Sequence, residues 1–179
     1  MTILLWLRND LRLHDHQPLN EALRRQQPVV PVYCVDPRQF AETSFGFAKT
    51  GGHRARFLLA SLADLRQSYR RLGSDLVIRR GCPEEVIPAL AQDLKANAVY
   101  WHEEVTAEEL AVEHTLEERL VQLNIQRQIY WGATLYHPDN LPFDINRLPE
   151  VFTQFRKKVE RDSTIDVSVP TPDQLPPRP

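Results

Sequence analysis

Ile3 to Leu7 is an unbroken apolar run of strand length. It is too short for a membrane span and too continuous for a strand with one wet face. It therefore reads as a central strand buried on both sides, as in a parallel sheet covered by helices on both faces. Polarity then changes abruptly: Arg8, Asn9, Asp10, Arg12, His14, Asp15 and His16 crowd the carboxyl end of the run, ahead of a helix that Pro18 can open. In an open parallel sheet, ligands collect outside the carboxyl ends of the strands, where sequence neighbours diverge and leave a crevice. The cluster is thus a candidate site, with helix capping and mutual pairing of loop charges as the alternative.

The same alternation recurs along the chain. Val29 to Val35 is a second buried strand despite Pro31, and it too ends in a carboxylate, Asp36. The loop from Arg38 to Gly52 carries Phe40, Phe45 and Phe47, so it packs on its own domain or lines an aromatic ligand's cleft. From His53 to Leu72, Phe57, Leu58, Leu62, Leu65, Tyr69 and Leu72 mark a long amphipathic helix closed by Gly73. Its other face carries Arg54, Arg56, Arg66, Arg70 and Arg71, either a solvated face or a dock for an anion. Asp75 to Arg79 is a short strand, and a helix runs from Pro83 to Lys95 with Glu84 and Glu85 in its first turn. Ala98 to Trp101 is the fourth strand, leading into His102, Glu103 and Glu104. Thr106 and Glu109 form a capping box for a helix to about Leu123, and Ile125 to Tyr130 is a fifth strand.

Strand and helix alternate with connections short enough to require parallel strands and right-handed crossovers. The expected fold is a doubly wound, Rossmann-like α/β domain with a five-stranded parallel sheet and helices on both faces. After an irregular stretch, Pro149 to Glu160 reads as one more amphipathic helix, with Val151, Phe152, Phe155 and Val159 on its apolar side. Residues 1–160 form the domain, and residues 161–179, holding Pro170, Pro172, Pro176, Pro177 and Pro179, read as an extended linker or tail.

Composition excludes several classes. The formal net charge of −2 gives no basic excess, so contact with DNA by this chain would be weak or indirect. Cys34 and Cys82 lack metal-ligand spacing and disulfide density, which fits a reduced, cytoplasmic compartment, with organelle import left open. No segment approaches a membrane span, and the pattern leaves oligomeric state open. There is no Walker loop, no glycine-rich turn after the first strand, and no Gly-x-Ser-x-Gly elbow. His14 and His16 share a loop without cysteine partners, which is weak support for a metal. What remains is a crevice rimmed by Asn9, Asp10, Asp36, Glu103 and Glu104, where carboxylates would accept hydrogen bonds from a ligand's ring N–H or amino groups.

An ordered series of motifs now carries a resemblance. Trp6-Leu-Arg-Asn-Asp-Leu-Arg-Leu-His-Asp15, Val35-Asp-Pro-Arg38, Gly52-His-Arg-Ala-Arg-Phe57, Gly73-Ser-Asp-Leu76, Gly81-Cys-Pro83, Trp101-His-Glu-Glu-Val105 and Leu148-Pro-Glu-Val-Phe-Thr-Gln-Phe-Arg-Lys157 follow one another along nearly the whole chain. Together they resemble the amino-terminal α/β domain of the photolyase and cryptochrome family, and the last resembles the DASH branch. The resemblance implies an antenna chromophore, methenyltetrahydrofolate or a deazaflavin, that passes excitation energy to FAD. It also implies that FAD lies in a separate helical domain, in cis or in trans, so that this chain binds no FAD and does not itself repair a pyrimidine dimer. Glu104 matches the position that meets the pterin, with Glu103 beside it, and Asp36 matches a position lining the deazaflavin variant of the pocket. Asn9 stands where deazaflavin-binding members tend to place arginine, which favours folate.

The leading expectation is a light-harvesting antenna domain. Two alternatives stand beside it: a chromophore-free interaction module that docks a partner through its loop phenylalanines and last helix, and a small nucleotide-binding enzyme, against which the missing glycine-rich turn counts.

Overall fold

All six residues of β1 (Thr2–Leu7) are buried in the computed structural model, which describes residues 1–177. The strand earns that burial by lying mid-sheet. Around it, in chain order, come α1 (Gln17–Arg24), β2 (Val29–Val35), α2 (Gly52–Arg71), β3 (Val77–Arg80), α3 (Pro83–Asp93), β4 (Ala96–His102), α4 (Ala107–Gln122), β5 (Gln126–Tyr130) and α5 (Phe152–Asp162). The strands pair in parallel in the order β3-β2-β1-β4-β5. The fold is the doubly wound α/β sheet that the alternation implies.

Period-two alternation divides the core. Ile3, Leu5 and Leu7 pack with Leu19 and Ala22 of α1 and with Leu62, Leu65 and Tyr69 of α2. Leu4 and Trp6 pack on the other face with Ile87 and Ala91 of α3 and with Leu116 and Leu120 of α4. Each face of β1 thus meets two helices, which is why no residue in it can be polar and wet. Pro31 is tolerated within β2 because the β3 register begins at Val32↔Val77, where the proline no longer flanks that neighbour.

Several elements differ from the sequence expectation for identifiable reasons. Phe57 is exposed: the buried stripe of α2 runs Leu62, Leu65, Tyr69, and Phe57 lies about 100° of helix turn away from Leu58. Thr106 does precede α4, but its hydroxyl makes no capping bond, so the expected capping box does not form. Pro88 sits inside α3 without a break. Proline at that position frees the carbonyl of Glu84, and Arg119 Nη1 of α4 donates to it at 2.7 Å. In α5 only Val159 of the apolar side is buried, while Val151 and Phe152 are exposed.

Beyond the end of α5, the described residues 163–177 of the proline-rich segment form no helix or strand, yet they are tied to the domain. Asp15 N–H donates to the Val169 carbonyl at 2.7 Å, Val169 N–H donates to Asp15 Oδ1 at 3.2 Å, and Leu175 N–H donates to the Leu72 carbonyl at 2.8 Å. Leu175 is 3% exposed, inserted among the α1 and α2 side chains. Composition concealed this because a single leucine does the anchoring while Ile165 and Val167 stay exposed. Gly73, at φ +92, ends α2 in the left-handed region, and the Leu175 carbonyl lies 3.4 Å from where its Cβ would be. Leu175→Ala is expected to cost about 2–5 kcal/mol in urea unfolding at unchanged m. A shift below about 0.5 kcal/mol would show that the tail does not contribute to the core.

Candidate functional site

At the carboxyl edge of the sheet, the polar residues after β1 and β4 fold into two buried clusters. In the first, Asp10 Oδ1 accepts from the Arg8 backbone N–H at 2.7 Å, His102 Nδ1 lies 2.6 Å from Asp10 Oδ2, and His16 Nε2 lies 2.8 Å from the same oxygen. The two imidazoles are tilted against each other with centroids 4.8 Å apart. His16 also caps α1, its Nδ1 accepting from Leu19 N–H at 3.2 Å. Burial alone would push the Asp10 pKa up; the interactions with His102 and then with His16 outweigh it and hold the carboxyl well below the usual carboxylate range. Gly132 closes the cluster, since a Cβ there would meet His102 Cδ2 at 2.5 Å.

Asp10, His16 and His102 offer three metal-ligand atoms within 4.8 Å of one another. The hydrogen bonding argues for a different use. A neutral His16 that accepts at Nδ1 carries its proton on Nε2, beside the carboxylate, and a protonated nitrogen is a donor and not a ligand. The 2.6 Å separation of His102 Nδ1 and Asp10 Oδ2 is that of a direct hydrogen bond.

The second cluster is built on Glu113. Its carboxylate pairs with Arg8, accepts from Glu104 N–H at 3.0 Å and from Trp101 Nε1 at 3.3 Å, and is 5% exposed. The Arg8 guanidinium lies 4.5 Å from the Trp6 ring centroid. Glu113 escaped the sequence reading although a signal existed: it shares the buried stripe of α4 with Leu116 and Leu120, a carboxylate at core spacing.

Beside these clusters opens a cleft of about 680 Å³, walled by the ends of β1 and β2 and by the first turns of α2, α3 and α4. Of the residues named from sequence, Asn9 and Asp36 line it, while Asp10, Phe40, Glu103 and Glu104 do not. The single carboxylate-rimmed crevice expected from sequence is therefore not what these residues form. Asp10 belongs to the histidine cluster. Asp36, buried, caps the turn at Pro37–Phe40 and is held by Arg38 at 2.6 to 3.0 Å, so its lone pairs are largely engaged. Arg38 also reaches Glu84 at 2.8 Å, and these two carboxylates raise the guanidinium's already high pKa. Glu104 is half-buried, with Asn9 Nδ2 donating to its Oε1 at 2.8 Å. Glu103 is fixed by its N–H to the Tyr130 carbonyl at 2.9 Å, and burial, with Glu113 and Glu117 nearby, pushes its carboxyl up.

The loop phenylalanines also lie elsewhere. Phe40 is exposed outside the cleft, and Phe45 and Phe47 stack at 6.2 Å on the outside of a short hairpin closed by the Glu42↔Ala48 bridge. Lys49 and Thr50 of that loop face the cleft instead, and Lys49 pairs with Glu108 at the start of α4. On α2, Arg66 and Arg70 are tied to Asp75, whereas Arg54 lines the cleft. Cys34 lies in the cleft wall with its thiol pushed up to about 12, by burial first and then by Asp36 and Glu84, so it is no thiolate at neutral pH.

A family model for DNA photolyase matches residues 3–177. The chain belongs to the DNA photolyase family. It is 58% identical over 178 residues to a cryptochrome DASH of Gloeobacter violaceus, covering 99% of this chain and 36% of that protein. The crystal structure of the Synechocystis sp. PCC6803 cryptochrome superposes with a TM-score of 0.97 at 49% identity, covering 99% of this chain and 37% of that one. An archaeal photolyase from Sulfolobus tokodaii, solved with two FAD molecules, shares the fold at a TM-score of 0.82 and 24% identity, with 99% and 38% covered. This photolyase-family chain thus spans little more than a third of the length of these relatives. Among the described residues, no helix is long and apolar enough to cross a membrane.

The family's α/β unit here carries a testable electrostatic signature. Because the folded-state pKa of Asp10 lies below its ordinary value, the stabilisation it provides is complete above about pH 4 and is lost as pH falls below it. Asp10→Asn should destabilise the domain at pH 7 and progressively less below about pH 4. A deficit that stays constant from neutral pH to about 3, followed by denaturant titration, would contradict this assignment.

Proposed function

We propose that this chain is the antenna-type, light-harvesting domain of a DASH-like cryptochrome, holding a folate chromophore that passes excitation energy to FAD on a separate helical domain. The observation that carries the reading is the Asn9–Glu104 hydrogen bond of 2.8 Å. Asn9 occupies one carboxylate oxygen and fixes the side chain, which leaves Oε2 for a donor on the ligand. Methenyltetrahydrofolate has amino and ring N–H groups of that kind, so Glu104 fits it. A deazaflavin hydrogen-bonded to Asp36 fits less well, because Arg38 already engages both oxygens of Asp36. Energy transfer makes and breaks no bond, and the protein's work is to hold a chromophore at fixed distance and orientation.

One observation favours a second reading, an interaction module. Phe45 and Phe47 are 84% and 61% exposed and Phe152 is 73% exposed, apolar surface that a partner such as the flavin-binding domain would cover.

The test is a titration of the purified chain with methenyltetrahydrofolate, followed by absorption and fluorescence after gel filtration. The parent chain should retain a near-ultraviolet band, and Glu104→Gln should bind about tenfold or more weakly while unfolding at the same temperature. Equal affinity in parent and variant would remove Glu104 from the site. No retained band in the parent, with or without a flavin-domain partner, would favour the interaction module.

A further inference from the structure

Glu104 sits on the turn between β4 and α4, and the Asn9 bond holds its side chain but not the turn beneath it. The restraint comes from behind. Glu103 N–H is tied to Tyr130 of β5 and Glu104 N–H to Glu113, so two successive backbone amides of the turn are anchored, one to the sheet and one to a helix. Glu113 is in turn immobilised by Arg8 and Trp101, both buried, with the Arg8 guanidinium over the Trp6 ring. A buried carboxylate with three donors has little freedom to move, and it passes that rigidity to whatever its remaining bond holds. Asn9 follows Arg8 directly, so the same buried pair that fixes the Glu104 backbone also fixes the residue that holds its side chain.

We propose that Glu113 is a positioning residue for Glu104: with Arg8 it sets the backbone of the Glu103–Glu104 turn and the place of Asn9, so that Glu104 Oε2 is presented to the ligand in one orientation. This rests on the reading of Glu104 as a ligand contact, but its structural half stands apart from it. Glu113 touches no ligand itself and acts only through Glu104.

The experiment uses the whole chain and two readouts. Glu113→Asp keeps the charge but shortens the side chain by one methylene, so it cannot reach Arg8 and Glu104 N–H together. In this variant the Glu104 amide should exchange its hydrogen about tenfold or more faster than in the parent, while the amides of β1 keep their protection. With methenyltetrahydrofolate as the probe, its affinity should fall about tenfold, and adding Glu113→Asp to Glu104→Gln should cause no further loss, since one residue acts through the other. A merely structural role would give additive losses. Should Glu113→Asp fail to fold, the double variant Arg8→Met with Glu113→Leu removes the buried charges together with the acceptor for Glu104 N–H and is read in the same way. Unchanged exchange at Glu104 in a folded variant, or additive losses of affinity, would overturn the proposal. If the parent binds no folate with or without a flavin-domain partner, the antenna reading fails for this chain and the exchange measurement alone decides whether Glu113 sets the turn.

Discussion

The carboxyl edge of this domain depends on one buried ion pair, Arg8 with Glu113. Such pairs add little net stability over a well-packed apolar alternative, because desolvating two charges offsets most of their attraction. What this one supplies is placement. It joins the end of the central strand to the middle of α4, and through the bonds of Glu113 it holds the end of β4 and the turn that follows. An apolar replacement could fill the same volume, but it could not accept a hydrogen bond from the Glu104 backbone. The residues beside Arg8 are disposed accordingly: Asn9 towards the cleft and Glu104, Asp10 towards the histidines.

Most of the fold was legible because it follows from local rules. The apolar run of β1 could only be a strand with both faces covered, and the regular alternation after it admits a parallel sheet with crossovers. The site was less legible for a physical reason. Strand-end positions can be read from sequence, and Asn9, Asp10, Asp36 and Glu104 do stand at strand ends, but which side chain consumes a carboxylate or guanidinium there cannot be read from position alone. Asp36 is taken by Arg38 two residues on, Asp10 by His102 at a separation of 92, and Arg8 by Glu113 at a separation of 105. A list of carboxylates therefore overstated how many remain for a ligand. The buried stripe of α4 was the one local sign of this pairing, since a glutamate at core spacing needs a buried cation.

The helices show the same division between local and distant causes. Pro88 violates helix preference locally, and its cost is met from α4, where Arg119 takes the carbonyl that the proline leaves unbonded. Thr106 obeys the local rule and makes no capping bond. Neither outcome follows from propensity alone, because both depend on what the neighbouring element offers.

The docked tail has a consequence for how the molecule is made. Val169 closes on Asp15 across 154 residues, and Leu175 completes a cluster whose other members lie no later than Tyr130. On the ribosome the chain can therefore build its sheet and helices well before it can seal the groove between α1 and α2. Nascent chains would pass through a stage in which that groove is formed, apolar and uncovered, until one leucine arrives to seal it.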